Sequence, residues 1–304
     1  MTALDVRTRI QAQLVGRERE LELLLAAVGA NRHVLLEGPP GASKTTMLKA
    51  ITREWGVPLV LVEGNSELTP AKLVGHHDPS RVLDEGYSAE NFVPGPLVSA
   101  MTEGGFLYLE ELNRSPEDTL NTLLMAIADG EITVPRAGTF HAAPTFRVVA
   151  SMNPFDNVGT LRVSRSVHDR LCRLAIGYQD AEAERGIVAL RAGTDGGAGE
   201  QLTERLTGDA VAATRATRDH ELVRQGSSVR GAIDMVLVAR ELAAMRAIPA
   251  PDHAGYPELV LDAMLVALSG RIQLDEAADA TPETVLREIW ESQLVLDVAQ
   301  AAPG

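Results

Sequence analysis

Apolar positions recur at helical spacing from Arg17 to Val28, with Leu21, Leu24, Leu25 and Val28 on one face, and Gly29-Ala30-Asn31 supplies a stop. A short apolar run, His33 to Leu36, leads into Glu37-Gly38-Pro39-Pro40-Gly41, and from Thr45 to Trp55 the helical period returns. The spacing predicts strand, glycine-rich turn, helix. Further apolar runs, Pro58 to Val62, Phe106 to Leu109, Phe146 to Ser151 and Arg173 to Tyr178, are separated by helical or loop-like stretches. Strands that are apolar at successive positions are covered on both faces, so these runs predict a mostly parallel sheet between helices, an α/β fold.

Two stretches depart from this rhythm. Between Asn65 and Pro96, glycines, prolines and His76-His77-Asp78 break any long period, which predicts an insertion carrying a short hairpin around Asp84-Glu85-Gly86-Tyr87. After Tyr178 the pattern changes to Ala, Leu, Glu and Arg at helical spacing, interrupted at Ala192 to Glu200 and at Ile248 to Tyr256. The expected division is residues 1–178 as an α/β domain and 179–304 as a small helical one, with the tail after Gln300 frayed. Apart from the Gly-rich Gly193 to Gly199, no low-complexity tract or internal repeat stands out.

The chain has 304 residues, 45% hydrophobic and 23% charged, which is the composition of a globular protein with a sizeable core. Its formal net charge of -14 opposes a surface built to grip a polyphosphate backbone, because such surfaces cluster Lys and Arg to release counterions. Nucleic acid is therefore not the expected partner, although a local basic channel stays open. Cys172 is the single cysteine, so neither an intramolecular disulfide nor a cysteine-rich zinc site can form, which fits a reducing cytoplasm. It is expected to be a small buried residue. Met1 to Ile10 mixes charged and apolar residues, and neither a secretion signal nor a membrane anchor is expected there.

Candidate chemistry begins at Gly38-Pro39-Pro40-Gly41-Ala42-Ser43-Lys44-Thr45, which has phosphate-loop spacing with Ser43 where the last glycine usually stands. Backbone N–H groups of such a turn converge on phosphates, the following helix adds its positive dipole end, and the Lys44 ammonium reaches the outer phosphates. Gly38 to Thr46 is the expected ATP cradle, with the Thr45 hydroxyl on magnesium. A Gly-Pro turn between strand and helix is the plain alternative, and the residues downstream count against it. Phe106-Leu107-Tyr108-Leu109-Glu110-Glu111 is an apolar strand ending in two acids, which sets a metal-side carboxylate, Glu110, and a general base, Glu111, at the carboxyl edge of the sheet. Asn153, in Ser151-Met152-Asn153-Pro154, closes another strand and is placed to hydrogen-bond the attacking water or the outermost phosphate. Arg170, in His168-Asp169-Arg170-Leu171, can project to a subunit boundary and stabilise charge on a neighbour's phosphate. Arg230, in Ser227-Ser228-Val229-Arg230 at a helix start, can reach back to the nucleotide. For both arginines a plain solvated side chain is the competing interpretation.

Taken in this order, these residues resemble the AAA+ ATPases, and within them the MoxR family, over nearly the whole chain. His33 to Gly41 resembles that family's approach to its phosphate loop, Asn91-Phe92-Val93-Pro94-Gly95-Pro96 its approach to the second motif, and Glu110-Glu111-Leu112-Asn113-Arg114-Ser115-Pro116 its Asp-Glu-Ile-Asn-Arg-Ala-Pro segment. Glu110 replaces the usual aspartate, so one more methylene must be accommodated at the metal.

The resemblance implies a P-loop αβα sandwich with a five-stranded parallel sheet, followed by an all-helical lid. It implies Asn153 as first sensor, Arg170 as arginine finger, Arg230 as second sensor, and Leu14-Val15-Gly16-Arg17 as the segment beside the adenine. It also makes residues 65–96 a helix-2 insert and residues 132–146 a pre-sensor hairpin, both facing a central pore and a client. Relatives usually assemble as hexamers, often with a partner carrying a von Willebrand factor A domain, and remodel or activate a protein or insert a metal cofactor. Competing functions on the same fold are a nucleic-acid-dependent motor and a slowly hydrolysing nucleotide switch or scaffold, and a magnesium-chelatase-like motor subunit is a close relative of the MoxR-type function itself.

Overall fold

The protein is described by a computed structural model covering residues 3–11, 14–154, 163–193 and 199–295. It divides into two compact units, Met1–Gly177 and Tyr178–Gly304.

The first unit runs α1 (Ala3–Gln11), α2 (Glu18–Gly29), β1 (Val34–Glu37), α3 (Lys44–Trp55), β2 (Leu59–Glu63), α4 (Pro70–Val74), β3 (Gly75–His77), α5 (Pro79–Glu85), β4 (Phe92–Pro94), α6 (Pro96–Glu103) and β5 (Phe106–Glu110). It continues with α7 (Glu117–Asp129), β6 (Glu131–Val134), β7 (Gly138–His141), β8 (Arg147–Met152), α8 (Arg165–Arg170) and β9 (Cys172–Ala175). Five strands form one parallel sheet in the order β2-β5-β8-β1-β9. Alternate residues of the central strands enter opposite layers. Leu36, Tyr108 and Val149 pack against Leu21, Leu24, Met47 and Ile51 of α2 and α3, whereas Leu35, Leu107, Leu109 and Val148 pack against Leu97 and Met101 of α6 and Leu123 of α7. Each such leucine, wholly withdrawn from water, contributes about 1.5–3 kcal/mol, which is why the buried runs read as unbroken apolar segments.

The insertion departs from its sequence expectation. β3 and β4 do pair antiparallel, Gly75 opposite Pro94 and His77 opposite Phe92. Yet Asp84 and Glu85 end α5 and Gly86 caps it, so no hairpin turns at Asp84 to Tyr87. The reason lies at Asp78, whose carboxylate accepts from Ser80 N at 2.9 Å while Pro79 opens the helix, a start signal strong enough to fill the connection with a helix. The second expected hairpin forms as β6 paired with β7, Ile132 opposite Phe140. His77 joins the two projections: its Nδ1 lies 2.8 Å from Asn91 Oδ1 and its Nε2 3.3 Å from Pro135 O.

Cys172 corrects another expectation. It opens β9 at the edge of the sheet and is exposed rather than buried.

The second unit is helical: α9 (Ala181–Ala192), α10 (Glu200–Asp219), α11 (Val229–Met245), α12 (Tyr256–Leu268) and α13 (Pro282–Trp290) enclose one core that includes Leu206, Val236, Leu259 and Leu286. A short antiparallel ladder, β10 (Val223–Gln225) with β11 (Gln273–Leu274), is added to the helices. Residues 194–198 of the Gly-rich tract and the tail after Gln300 lie outside the described residues. Among the described residues, no helix is long and apolar enough to cross a membrane.

Candidate nucleotide site

The turn after β1 is shaped by its neighbours. Gly38 N donates to Met152 O of β8 at 3.1 Å, and Ile176 N, just past β9, donates to Glu37 O at 2.7 Å. A Cβ on Gly38 would stand 2.1 Å from Ile176 O, so only glycine fits between these strands. Pro39, Pro40 and Gly41 carry the chain outward, with Gly41 at φ 76°, and Ala42 is buried. Ser43 then takes φ 64° as the residue before α3. That left-handed conformation costs a side chain about 1–2 kcal/mol that glycine would not incur, so the departure from the usual loop is absorbed as strain and the loop shape is kept.

Lys44 opens α3 and folds over its own loop, Nζ donating to Gly38 O at 2.8 Å and Pro39 O at 2.9 Å. Thr45 follows, half-buried, and its hydroxyl donates to Glu110 Oε1 at the end of β5. Thr46 is exposed on the same first turn. The helix start thus presents backbone N–H groups and an ammonium at the carboxyl edge of the sheet, the arrangement that binds phosphate in P-loop proteins.

Behind the Thr45–Glu110 contact stands Tyr108. Its side chain is wholly buried, its hydroxyl donates to Ser151 Oγ at 3.0 Å and lies 3.5 Å from Thr45 Oγ1. Burial pushes the phenol up to about 12, outweighing its hydrogen bond to Ser151, so it is a neutral donor. By pattern alone Tyr108 is one more apolar member of a buried strand and Ser151 a strand end. The signal available was a hydroxyl-bearing aromatic two residues before the acid pair, on the same face of the strand as Glu110.

Glu111 lies just past β5 with φ 51°, and its carboxylate pairs with Arg114 at 3.0 Å. A Cβ on Gly64 would stand 2.4 Å from Glu111 O, so the end of β2 holds this turn close. Asn153 follows β8 directly, one residue past Met152 and hence beside Gly38. These residues, Gly38 to Thr45, Glu110, Glu111 and Asn153, are gathered at one edge of one sheet. Val15 and Gly16 precede α2, with Gly16 at φ 64°; the adjoining Arg17 is buried and binds Glu20 at 2.8 Å and Gly177 O at 2.8 Å. Arg170 is exposed at the end of α8, its Nη1 donating to Ser166 O at 3.3 Å. Arg230 belongs to the second unit, on the first turn of α11, where Ser228 Oγ accepts from its N–H at 3.4 Å.

The oxygens of Thr45 and Glu110 suit magnesium, which typically takes one or two protein ligands and completes its shell with water and phosphate. Among the described residues no cluster of three or more His, Cys, Asp or Glu could hold a metal by itself, so any ion here would have to be shared with a ligand.

The chain matches a family model described as "AAA domain (dynein-related subfamily)" over residues 33–171. It is similar to "Chaperone MoxR1" of Mycobacterium tuberculosis (strain ATCC 25618 / H37Rv), 26% identical over a gapped alignment of 323 positions covering 95% of this chain and 81% of that one. Its fold is similar to that of a RuvB variant from Thermotoga maritima, at TM-score 0.54 and 17% identity over 83% of this chain and 70% of that one. It is likewise similar to NtrX from Brucella abortus in complex with ADP, at TM-score 0.55 and 20% identity over 91% and 60% of the two chains. Sheet order, loop and acid-tipped β5 define a P-loop domain of the AAA+ class. Within that class, the likeness to MoxR1 extends beyond this domain over most of the chain.

Proposed function

We propose that the protein is a MoxR-type ATPase that binds and hydrolyses ATP in a homo-oligomeric ring, usually of six, and uses the cycle to remodel or activate a client protein. What supports this above all is the Thr45–Glu110 contact, which joins the phosphate-loop helix to the acid-tipped strand across the carboxyl edge of the sheet. The Lys44 ammonium exchanges its loop carbonyls for the outer phosphates, and backbone N–H groups of Gly41 to Thr45 cradle them. Thr45 and Glu110 would hold magnesium, which when bound offsets charge on the phosphate oxygens. Glu111 leaves Arg114 and takes a proton from the attacking water as that water's oxygen bonds to the terminal phosphorus and the bond to the leaving ADP oxygen breaks. Asn153 orients the water, Arg170 acts on a neighbouring subunit's phosphate, Val15 and Gly16 border the adenine, and Arg230 is the candidate second sensor.

The β3–β4 insertion and the β6–β7 hairpin are the proposed client-contacting parts. Leu83 is 87% exposed there and Tyr87 56%, apolar surface that a client can bury. That the relative MoxR1 bears the name of a chaperone agrees with work on a protein client. A partner with a von Willebrand factor A domain, and metal-cofactor insertion as one form of the client reaction, follow from the family resemblance alone. The exposed, unpaired Cys172 accords with a reducing, cytoplasmic setting.

A second function, a slowly turning nucleotide switch, is favoured by one observation: the longer Glu110 side chain already reaches Thr45 and occupies the hydroxyl that would meet the metal. The deciding experiment measures ATP hydrolysis against protein concentration with magnesium, wild type beside Glu111→Gln, with mass followed by light scattering. Hydrolysis that rises with assembly and falls about 10²–10⁴-fold in the variant is expected. Binding and assembly without hydrolysis in the wild type would replace the motor by the switch.

A further inference from the structure

Tyr108 is the bulkiest wholly buried side chain among the described residues, and it is seated in the layer formed with Met47, Leu48 and Ile51 of α3. Phenylalanine would fill that space equally well without burying a hydroxyl, and a buried hydroxyl is costly unless bonded. The contacts of that hydroxyl join separate parts of the nucleotide site. Its proton goes to Ser151 Oγ at 3.0 Å, two residues before Asn153 on β8. Its oxygen stands 3.5 Å from Thr45 Oγ1, whose own proton is committed to Glu110. One phenol oxygen therefore touches the phosphate-loop helix and the water-orienting strand, from a position two residues before the metal-side acid. Because Glu110 is one methylene longer than the family's usual aspartate, its carboxylate has more torsional freedom, and Thr45 needs a second wall if the two oxygens are to stay in register.

We propose that Tyr108 is a positioning residue of the metal side of the site: its hydroxyl, bound to Ser151 and lying against Thr45, holds Thr45 where a magnesium–nucleotide complex needs it. This rests on the nucleotide-binding function proposed above. Groups one shell removed from a metal typically change its affinity 10–100-fold when altered, and a neutral hydroxyl belongs at the lower end of that range.

The test titrates magnesium into the full-length protein with a fluorescent ADP analogue, reading nucleotide binding, for wild type, Tyr108→Phe and Ser151→Ala, with thermal midpoints in parallel. Tyr108→Phe is expected to raise the magnesium needed for half-maximal binding about tenfold, at unchanged magnesium-free affinity. Ser151→Ala, which removes the same contact from the other strand, is expected to move it in the same direction and keeps the proposal testable if the first variant folds poorly. Unchanged magnesium dependence in a folded variant overturns the role of Tyr108 while leaving the nucleotide site standing. A wild type that binds no nucleotide at all overturns both.

Discussion

The two edges of the central sheet both carry polar clusters, and they are built on opposite principles. At the amino edge, Arg147 is buried and its guanidinium donates to Val28 O at 3.1 Å, Pro144 O at 2.9 Å and Asn31 Oδ1. Beside it, His33 Nδ1 accepts from Val148 N at 2.8 Å. Burial, reinforced by the charges of Arg147 and Arg32, pulls His33 down to about 4, so it is a neutral acceptor with a fixed tautomer. At the carboxyl edge, Lys44 leans on two carbonyls of its own loop, Glu111 is held by a half-exposed pair, and Gly41, Ser43 and Glu111 all have positive φ. The first cluster ties strands to a helix end and a loop with well-partnered groups. The second holds charges on local, replaceable partners, which is how a site waiting for a ligand differs from a structural clip.

Substitutions should separate the two. The largest effect is expected from Lys44→Ala, which removes charge-assisted contacts to the outer phosphates of about 1.5–3 kcal/mol each, so nucleotide affinity by calorimetry should fall at least hundredfold. The thermal midpoint of the nucleotide-free protein should barely move, because the loop carbonyls that lose a partner can turn to water. A large drop in that midpoint would mean that Lys44 is a clip like Arg147.

Arg147→Ala should do the reverse. It strands the buried carbonyls of Val28 and Phe146, at a cost of about 3 kcal/mol in urea unfolding, while nucleotide affinity of the folded fraction stays the same. Equal loss of affinity would erase the distinction between the edges.

A third effect, on the pH dependence of stability, concerns His33. Its folded pKa lies below the unfolded value, so between about 6.5 and 4 the unfolded chain binds the extra proton. Stability is therefore full above that window and falls by up to roughly 3 kcal/mol as pH drops through it. His33→Asn, which keeps an acceptor near the Nδ1 position, should flatten that slope in urea melts at pH 7 and 4.5. A slope identical to wild type would assign the acid sensitivity to other groups.

The candidate site was legible because its parts are local. A Gly-Pro turn ahead of Lys44-Thr45 and an acid pair after an apolar strand each need only a few consecutive residues, and their types carry the chemistry. The strands and most helices were legible for the same reason, since burial on both faces leaves unbroken apolar runs. The insertion was misjudged at Asp84 to Tyr87 because the Asp78-Pro79 helix start outweighs the turn-forming Gly86, a competition between neighbours that composition does not rank. Cys172 was misjudged because burial on a strand depends on whether another strand lies beside it, and β9 turned out to be the edge.

By itself, the sequence determined that this chain would make a phosphate loop, two acids at a strand end and a parallel sheet, because short-range spacing and hydrophobic period encode these directly. Only the tertiary structure decided that Tyr108, Ser151, Thr45 and Glu110 meet, since they come from three separate segments whose proximity is set by strand order β5-β8-β1 and by the packing of α3 over it. Strand order is a global outcome of which faces bury best together, and no local pattern contains it.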